Sequence, residues 1–216
     1  MKIVILALMC YLVGCINPAY IIGRVKGFDI RNFGSLNAGA SNVAINVGKR
    51  AAAFTAVFDM MKAFFCYKFA IELFPEIPYI GVICAVCCII GHIYPVFMGF
   101  HGGKGFACLW GMIFAFDVRV AISMIIVLAI LAFAVRYLCV ITTLTSLSFP
   151  VIYCLMTKDV VGTLTLFWIG AIIIGKHFPN FKRIRLGTEA RMSSLWNREE
   201  EEERIRKNLE KLTDEE

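Results

Sequence analysis

The sequence predicts an all-α fold, a polytopic transmembrane helical bundle with seven spans. Hydrophobic residues make up 59% of the 216 positions, and the mean hydropathy is +0.75. A water-soluble domain of this length would need a more highly charged surface. Apolar runs long enough to cross a bilayer recur along the chain. These observations exclude a soluble enzyme and make the membrane lipid bilayer the first expected partner.

Seven apolar segments are separated by short connections. The first is interpreted as a retained helix and not a cleaved signal peptide, because its apolar run is long and further spans follow. The fourth predicted span is short. As an alternative, residues 105–135 could form one long span in place of the fourth and fifth. The predicted spans cover residues 3–23, 52–73, 79–99, 105–116, 118–135, 138–156 and 160–175.

Positive charge decides between the two span counts. With seven spans and the N-terminus outside, basic residues concentrate on one face, which the positive-inside rule identifies as cytoplasmic. That face receives Arg24, Lys26, Arg31, Lys49, Arg50, Lys104, Arg136, Lys176, Lys182, Arg183, Arg185 and Arg191. The opposite face keeps Lys2, Arg119 and Lys158. Chemistry is therefore expected at the cytoplasmic face, where the C-terminus also lies.

We expect a membrane-embedded domain over residues 1–192 and a charged cytoplasmic C-terminal tail over residues 193–216. In the tail, acidic residues precede basic ones, a pattern typical of a solvated helix. The nine cysteines fall almost entirely inside apolar segments, which argues against a disulfide framework. Cys84-x-x-Cys87-Cys88 has the form of a thiol or metal motif, but helix packing is preferred, and neither a metal nor a cofactor is expected.

The first basic loop contains a run of small polar residues, Gly34-Ser35-Leu36-Asn37-Ala38-Gly39-Ala40-Ser41-Asn42. Its glycines expose backbone N–H groups, and its hydroxyls and amides add short donors, which together suit an anion. An ordinary flexible loop is the alternative, although such loops more often carry proline and glutamate.

The second motif, "GHIYPVFMGFHGGKG", covers residues 91–105. Its glycines allow a backbone to close on phosphate oxygens, and Lys104 supplies a point charge. It is not a Walker P-loop, because the glycine spacing differs and no serine or threonine follows the lysine. A glycine hinge with a lysine at the membrane interface is the alternative.

The third motif, "KHFPNFKRIRLGTEARM", leaves the last span at residues 176–192. In a helix, His177, Asn180 and Arg183 would roughly align. A basic stretch beside a membrane usually anchors lipid headgroups, but that explains neither His177 nor Asn180.

Two charged residues, Asp59 and Lys62, lie inside the second predicted span. Ionisable groups at that depth are candidates for function. Their i, i+3 spacing equally allows them to neutralise one another.

Together the three motifs resemble those of the bacterial membrane-bound, acyl-phosphate-dependent glycerol-3-phosphate acyltransferases. The resemblance covers roughly residues 1–192. The family patterns are Gly-Ser-Gly-Asn-x-Gly-Ala-Thr/Ser-Asn, Gly-His-x-x-Pro-Val-Phe with Gly-Gly-Lys-Gly, and His-x-x-Asn with Gly-x-Glu. The residues that carry them here are Gly34, Ser35, Asn37, Gly39 and Asn42, then Gly91, His92, Pro95, Gly102, Gly103, Lys104 and Gly105, then His177, Asn180, Gly187 and Glu189.

The resemblance implies an enzyme that transfers a fatty acyl group from acyl phosphate to the sn-1 hydroxyl of glycerol-3-phosphate. The product would be lysophosphatidic acid, for phospholipid biosynthesis at the bacterial plasma membrane. Glycerol-3-phosphate and acyl phosphate are the implied substrates, the enzyme that makes acyl phosphate is an expected partner, and no nucleic acid is expected.

Site residues follow from the same resemblance. The expected catalytic residues are Ser35, Asn37, Lys104, His177 and Asn180, of which the last three would bind the phosphate of glycerol-3-phosphate. Those expected to bind substrate or phosphate are Gly34, Gly39, Asn42, Gly102, Gly103, Gly105 and Thr142, with His92 and Glu189 as structural support. Because acyl phosphate is already an activated mixed anhydride, positioning and charge stabilisation would supply much of the rate.

One departure from the family pattern bears on function. The family usually carries a phosphate-contacting arginine three residues after the first motif, where this chain has Ile45. Ile45 leaves open a catalytically weak or inactive relative that binds or regulates, and a small-anion transporter is a less favoured alternative. Coenzyme-A-dependent acyltransferases with His-x-x-x-x-Asp are excluded, because no aspartate stands five residues after His92, His101 or His177.

Overall fold

The regular secondary structure of the described chain is helical. A computed structural model describes residues 1–195 and 197–214, and within that part the regular elements are helices joined by short turns. They are α1 (Lys2–Cys15), α2 (Pro18–Val25), α3 (Ala40–Asn46), α4 (Lys49–Leu73), α5 (Ile80–Ile93), α6 (Phe106–Phe116), α7 (Val118–Val135), α8 (Leu138–Thr157), α9 (Val160–Lys176), α10 (Phe178–Arg185) and α11 (Arg198–Asp214). The predicted all-α class is confirmed.

Three helical segments of the described chain are long and apolar enough to cross a membrane. They are Lys2–Val25, Ile80–Met98 and Leu138–Thr157, and α9 with α10 would add a fourth if this pair, bent by 44°, counts as one span. Helix α4 has 25 residues but carries charged side chains, and α6 has 11 residues, a length of about 16 Å. The count of seven spans therefore stays a prediction.

The first predicted span contains a break between α1 and α2. Pro18 has no backbone N–H, and it therefore suits the first position of a new helix. Asn17 caps α2 by accepting a hydrogen bond from the Tyr20 amide at 2.9 Å. The same side chain donates to the Ala38 carbonyl at 3.0 Å, so the break ties the first span to the first-motif loop.

Helices α1 and α5 approach one another closely through two glycines. A Cβ atom added to Gly14 would collide with the backbone of Cys88, and one added to Gly91 would collide with the Tyr11 carbonyl. Small residues at such crossings allow membrane helices to pack backbone against backbone. The cysteines in the described chain are free, and buried Cys84 and Cys88 lie in α5, as the packing interpretation predicted.

Asp59 and Lys62 form a buried ion pair on α4, with 2.7 Å between Nζ and Oδ1. The Lys62 ammonium also donates to the carbonyls of Gly14 at 3.1 Å and Ile16 at 2.9 Å. These carbonyls belong to the end of α1, where helical partners are missing. Of the two interpretations of this pair, mutual neutralisation is the one that the structure shows.

A cluster of potential metal ligands surrounds the same ion pair. Asp59, His92 and Cys108 are buried and place one ligand atom each within 4.8 Å of the others. Lys62 Nζ lies 3.0 Å from His92 Nδ1 and contacts Asp59 as well. A fixed positive charge against two of the three potential ligands disfavours a metal cation, because like charges repel at this distance.

Candidate active site

The three motifs meet around one open pocket of about 460 Å³. Its lining residues are Arg31, Asn32, Ser35, Leu36, Asn37, His101, Gly102, Gly103, Lys104, Lys176, Pro179 and Arg183. Four of these twelve are lysine or arginine, and none of the lining side chains within the described chain is acidic. A concave surface of one charge sign concentrates ligands of the opposite sign. The pocket is therefore suited to an anion.

Asn42 shapes the first-motif loop from the inside. Its side chain is fully buried, accepts a hydrogen bond from the Ser35 amide at 2.9 Å and donates to the carbonyls of Ile30 at 2.8 Å and Phe33 at 2.9 Å. Gly34 has a φ of +57°, and a Cβ there would meet the Asn42 amide oxygen. Asn42 and Gly34 thus support the loop that presents Ser35, and their predicted contact with substrate stays a prediction.

Asn37 and Gly39 complete this loop. Asn37 lines the pocket beside Ser35. Gly39 precedes α3, and a Cβ on it would lie 2.8 Å from the Asn37 amide nitrogen. Gly39 therefore makes room for the Asn37 side chain and is absent from the lining surface.

The second-motif loop folds back onto the end of α5. The amides of Gly102 and Gly103 donate to the carbonyls of Ile93 at 3.1 Å and His92 at 3.0 Å. A Cβ on Gly103 would collide with the buried imidazole of His92. These two amides are therefore already paired within the loop. Both glycines line the pocket beside Lys104, and the expectation that they allow close approach of phosphate stays a prediction. The glycines seat the loop on His92, whose supporting role stays a prediction.

Gly105 and Lys104 form the last part of the same loop. Gly105 caps α6 with a φ of +86°, and the side chains of Ile89 and Ile93 pack against it. Lys104 directly precedes it and lines the pocket. The first turn of α6 has unpaired backbone N–H groups and a partial positive charge, so Lys104 and the helix end both favour an anion.

A chain of hydrogen bonds joins Lys104 to the third motif. Lys104 Nζ donates to Asn180 Oδ1 at 2.5 Å, and Asn180 Nδ2 donates to Glu189 Oε1 at 2.6 Å. Glu189 Oε2 accepts from Arg183 Nε at 2.7 Å. A carboxylate accepts and does not donate, so Glu189 turns the amide nitrogen of Asn180 towards itself and the oxygen towards Lys104. Glu189 thus orients the Asn180 amide, and its supporting role in the site stays a prediction.

The electrostatic setting of Lys104 makes its ammonium receptive to a negative ligand. Burial and, next, the nearby Arg183 guanidinium lower the pKa of Lys104, and Glu189 partly opposes them. A bound anion would restore the favourable surroundings that burial removes from the ammonium.

His177 and Thr142 occupy supporting positions. His177 lies at the bend between α9 and α10, where its buried Nδ1 donates to the Ile173 carbonyl at 2.8 Å. Thr142 is fully buried in α8 and donates to the Leu138 carbonyl at 3.0 Å. Neither residue is among those that line the pocket. His177 is nevertheless joined to the site, because its carbonyl accepts from the Asn180 amide at 2.9 Å.

Arg31 and Lys176 line the pocket although neither is among the predicted site residues. Arg31 pairs with Asp29 at 2.8 Å and donates to the Met98 carbonyl at 2.7 Å. This hydrogen-bonded pairing with Arg31 lowers the pKa of Asp29 to about 2. Lys176 Nζ lies 4.3 Å from the ring centroid of Tyr94. In the sequence, only their positions beside the first and third motifs indicated that they would lie at the pocket.

Ile45 lies on α3 with 46% of its surface exposed. It is absent from the pocket lining. Its exposed position leaves space for a longer side chain.

An apolar groove of about 330 Å³ runs between α6, α7 and α8. The residues that line it are Met60, Phe106, Trp110, Phe114, Ile125, Leu128, Ala129, Ala132, Ile141 and Met192. Phe106 follows Lys104 by two residues and Met192 follows Glu189 by three. The groove is therefore connected through the chain to two parts of the polar site.

Comparison with known proteins relates this arrangement to characterised sequences. A family model described as glycerol-3-phosphate acyltransferase matches residues 4–187. The glycerol-3-phosphate acyltransferase of Aquifex aeolicus (strain VF5) is 32% identical over 191 residues, which cover 88% of this chain and 100% of that protein. Glycerol-3-phosphate acyltransferase 1 of Oceanobacillus iheyensis is 35% identical over 209 residues, covering 92% and 99%.

Two solved structures share the fold. The crystal structure of PlsY (YgiH), an integral membrane glycerol 3-phosphate acyltransferase, in its glycerol 3-phosphate form superposes with a TM-score of 0.83 at 31% identity. It covers 90% of this chain and 98% of its own. The lysophosphatidic acid form of that protein gives a TM-score of 0.79 at the same identity.

Proposed function

Because this chain belongs to the glycerol-3-phosphate acyltransferase family, we propose that it transfers a fatty acyl group from acyl phosphate to the sn-1 hydroxyl of glycerol-3-phosphate. The product is lysophosphatidic acid and the by-product is inorganic phosphate. The observation that carries the proposal is the basic pocket in which all three motifs meet.

The acceptor phosphate is bound in this proposal by Lys104, assisted by Arg183. Lys104 has one hydrogen bond to Asn180, and an ammonium group has three donors, so two remain for phosphate oxygens. Arg31 and Lys176 line the same pocket and add positive charge. Two substrates with phosphate groups need this excess of charge, because their own charges repel each other.

The transfer step follows from the chemistry of the donor. The sn-1 hydroxyl oxygen attacks the carbonyl carbon, an ester C–O bond forms, and the bond from that carbon to the phosphate oxygen breaks. The hydroxyl proton passes to the departing phosphate, which leaves as inorganic phosphate. Ser35 and Asn37 face this reaction as positioning groups, and the basic pocket stabilises the charge that develops on the leaving group.

The acyl chain lies in the apolar groove between α6, α7 and α8. The groove is lined by aliphatic and aromatic side chains, which favour a hydrocarbon chain over water. Phe106 belongs to the turn of α6 nearest Lys104. An acyl phosphate could thus place its head among the basic residues and its tail in the groove.

We also propose a seven-span arrangement in the bacterial plasma membrane, with the N-terminus outside and the site on the cytoplasmic face. The concentration of basic residues around the three motifs supports this orientation. In this arrangement residues 1–192 form the membrane domain, and glycerol-3-phosphate reaches the pocket from the cytosol. The enzyme that makes acyl phosphate would deliver the donor through the same membrane.

Ile45 favours a second candidate, a relative that binds glycerol-3-phosphate with little or no turnover. An isoleucine cannot replace the bidentate contact of an arginine with phosphate. A small-anion transporter has less support, because the basic residues gather at one pocket and the deep charges of Asp59 and Lys62 are paired.

The test is turnover by the purified protein in lipid, with palmitoyl phosphate and glycerol-3-phosphate. Phosphate release and lysophosphatidic acid are measured together. Lys104→Ala is expected to abolish both, whereas Lys26→Ala, a change at an exposed lysine of the first loop, retains them. Binding of glycerol-3-phosphate without turnover would reject the transferase and favour the second candidate.

A further inference from the structure

The C-terminal helix α11 packs back onto the third motif and is not a free tail. Arg204 Nη1 donates to the Gly187 carbonyl at 2.6 Å, and its Nη2 donates to the Glu189 carbonyl at 2.7 Å. Asn208 Nδ2 adds a bond to the Gly187 carbonyl at 2.8 Å. The family model ends at residue 187, so these contacts come from a part of the chain outside the family match.

The Arg204 guanidinium is held in place by Glu201. Their side chains are joined at 2.7 Å and 3.1 Å. Glu201 is 6% exposed and also accepts from the Arg191 amide at 2.8 Å. Burial opposes ionisation of Glu201, but Arg204 and the Arg191 amide lower its pKa, so the carboxylate stays charged. One planar group thus binds a carboxylate and two backbone carbonyls at once.

The turn that Arg204 binds is the one that positions the site. Gly187 has a φ of +72°, a conformation that favours glycine, and Glu189 follows two residues later. The backbone carbonyl of Glu189 accepts a hydrogen bond from Arg204. The Glu189 carboxylate accepts hydrogen bonds from Asn180 and Arg183. Asn180 in turn accepts from Lys104. A continuous set of hydrogen bonds therefore runs from α11 to the pocket.

We propose that α11 is a positioning element for the pocket, and that Arg204 is the residue through which it acts. Arg204 fixes the Gly187–Glu189 turn, Glu189 then orients Asn180 towards Lys104, and this arrangement sets the affinity for the phosphate of glycerol-3-phosphate. The identity of that ligand rests on the proposed function. Arg204 is a positioning residue, because its described contacts are to the protein and not to the pocket.

The experiment compares variants of the full-length protein. Arg204→Met removes the guanidinium and keeps much of the side-chain volume, and Arg204→Lys keeps the charge without the planar fork. Arg206→Met is the matched control, because Arg206 is exposed on the same helix and lies 3.8 Å from Glu210. Steady-state kinetics give KM and kcat, and hydrogen–deuterium exchange reports on residues 177–191.

Arg204→Met is expected to raise KM for glycerol-3-phosphate about tenfold with kcat within about twofold, the scale of a lost charge-assisted hydrogen bond. Arg204→Lys is intermediate and Arg206→Met unchanged. In a Glu189→Gln background the effect of Arg204→Met should largely vanish, because the two residues act in series. An unchanged KM, or an equal effect in both backgrounds, overturns the proposal.

Hydrogen exchange separates this inference from the proposed function. Absence of turnover by the unaltered protein would refute the proposed function, and exchange alone would then decide the role of α11. Loss of protection over residues 177–191 in Arg204→Met but not in Arg206→Met supports the proposal. Equal protection in the two variants overturns it.

Discussion

The Lys104 ammonium donates a 2.5 Å hydrogen bond to the Asn180 amide oxygen and so joins two motifs that lie 76 residues apart. The contact fixes the direction of the ammonium while leaving two of its donors unused by Asn180. The pair therefore forms a preformed half of an anion site, which a phosphate group would complete.

The pH dependence of activity is expected to report on Lys104. Its pKa is lowered, chiefly by burial, so the ammonium loses its proton as pH rises at a lower value than the ordinary lysine pKa of about 10.4. Activity should fall over that alkaline range, because neutral Lys104 no longer attracts phosphate. In Lys104→Arg, kcat/KM should be lower but its alkaline decline should move to higher pH. Identical alkaline limbs in the two proteins would show that another group titrates.

Gly103→Ala is expected to reduce activity at least about tenfold and to lower the unfolding temperature. The new Cβ would collide with the His92 imidazole, and overpacking of this kind typically costs about 1–3 kcal/mol. Gly175→Ala is the matched control, because a Cβ there has no heavy atom within 4 Å, and this change should leave activity intact. Thermal unfolding and initial rates measure both, and equal behaviour of the two variants would contradict the seating role of Gly103.

Asn42→Ala should destabilise the protein by about 2–3 kcal/mol and impair turnover. The substitution leaves the buried carbonyl of Ile30 without its hydrogen bond from Asn42, and the Ser35 amide loses its acceptor. Ser41→Ala, at the exposed neighbouring position, is expected to be nearly neutral. Chemical or thermal unfolding in detergent checks the difference, and a neutral Asn42→Ala would mean that the loop is held by other contacts.

Lys62→Met should cost about 3–5 kcal/mol, because it leaves Asp59 as an uncompensated buried charge and the Gly14 and Ile16 carbonyls without their cation. Lys68→Met, at an exposed position of the same helix, should change stability little. The measurement is the unfolding free energy in lipid or detergent. If Lys62→Met is as stable as Lys68→Met, the buried ion pair contributes little to the stability of the protein.

Ile45→Arg is expected to lower KM for glycerol-3-phosphate by about tenfold, since it restores the arginine that the family usually carries and adds a charged hydrogen-bond donor for phosphate. The exposed side chain of Ile45 leaves space for the change. Ile45→Gln adds a polar, uncharged side chain that is shorter than arginine and serves as the control. If both variants behave as the unaltered protein, the chain uses a different contact at this place.

Much of the fold could be predicted because each apolar run ends near a helix terminus. The predicted span 118–135 coincides with α7, and 138–156 differs from α8 by one residue. The charge pattern predicted that the three motifs share one face, and residues of all three line one pocket in the structure. The pairing of the Gly102 and Gly103 amides with α5 could not be predicted, since it depends on how the loop closes in space.

The docking of α11 could likewise not be predicted from the sequence. Arg204 binds the carbonyls of Gly187 and Glu189, and every residue has a carbonyl, so no pattern of side chains marks the partner. The charge pattern predicted a solvated helix, and most of α11 is exposed, but the pattern gave no indication of where the helix would dock.

The close approach of α1 and α5 at Gly14 has a consequence for the synthesis of the protein. The ribosome completes α1 well before α4 and α5, so during synthesis Gly14 has no Cys88 backbone to meet and the carbonyls of Gly14 and Ile16 have no ammonium. The nascent segment must be tolerated by lipid on its own, and residues 3–23 suit this because they carry no charge. The contacts of Gly14 with the Cys88 backbone and of Lys62 with the Gly14 and Ile16 carbonyls form only once α4 and α5 have been synthesised.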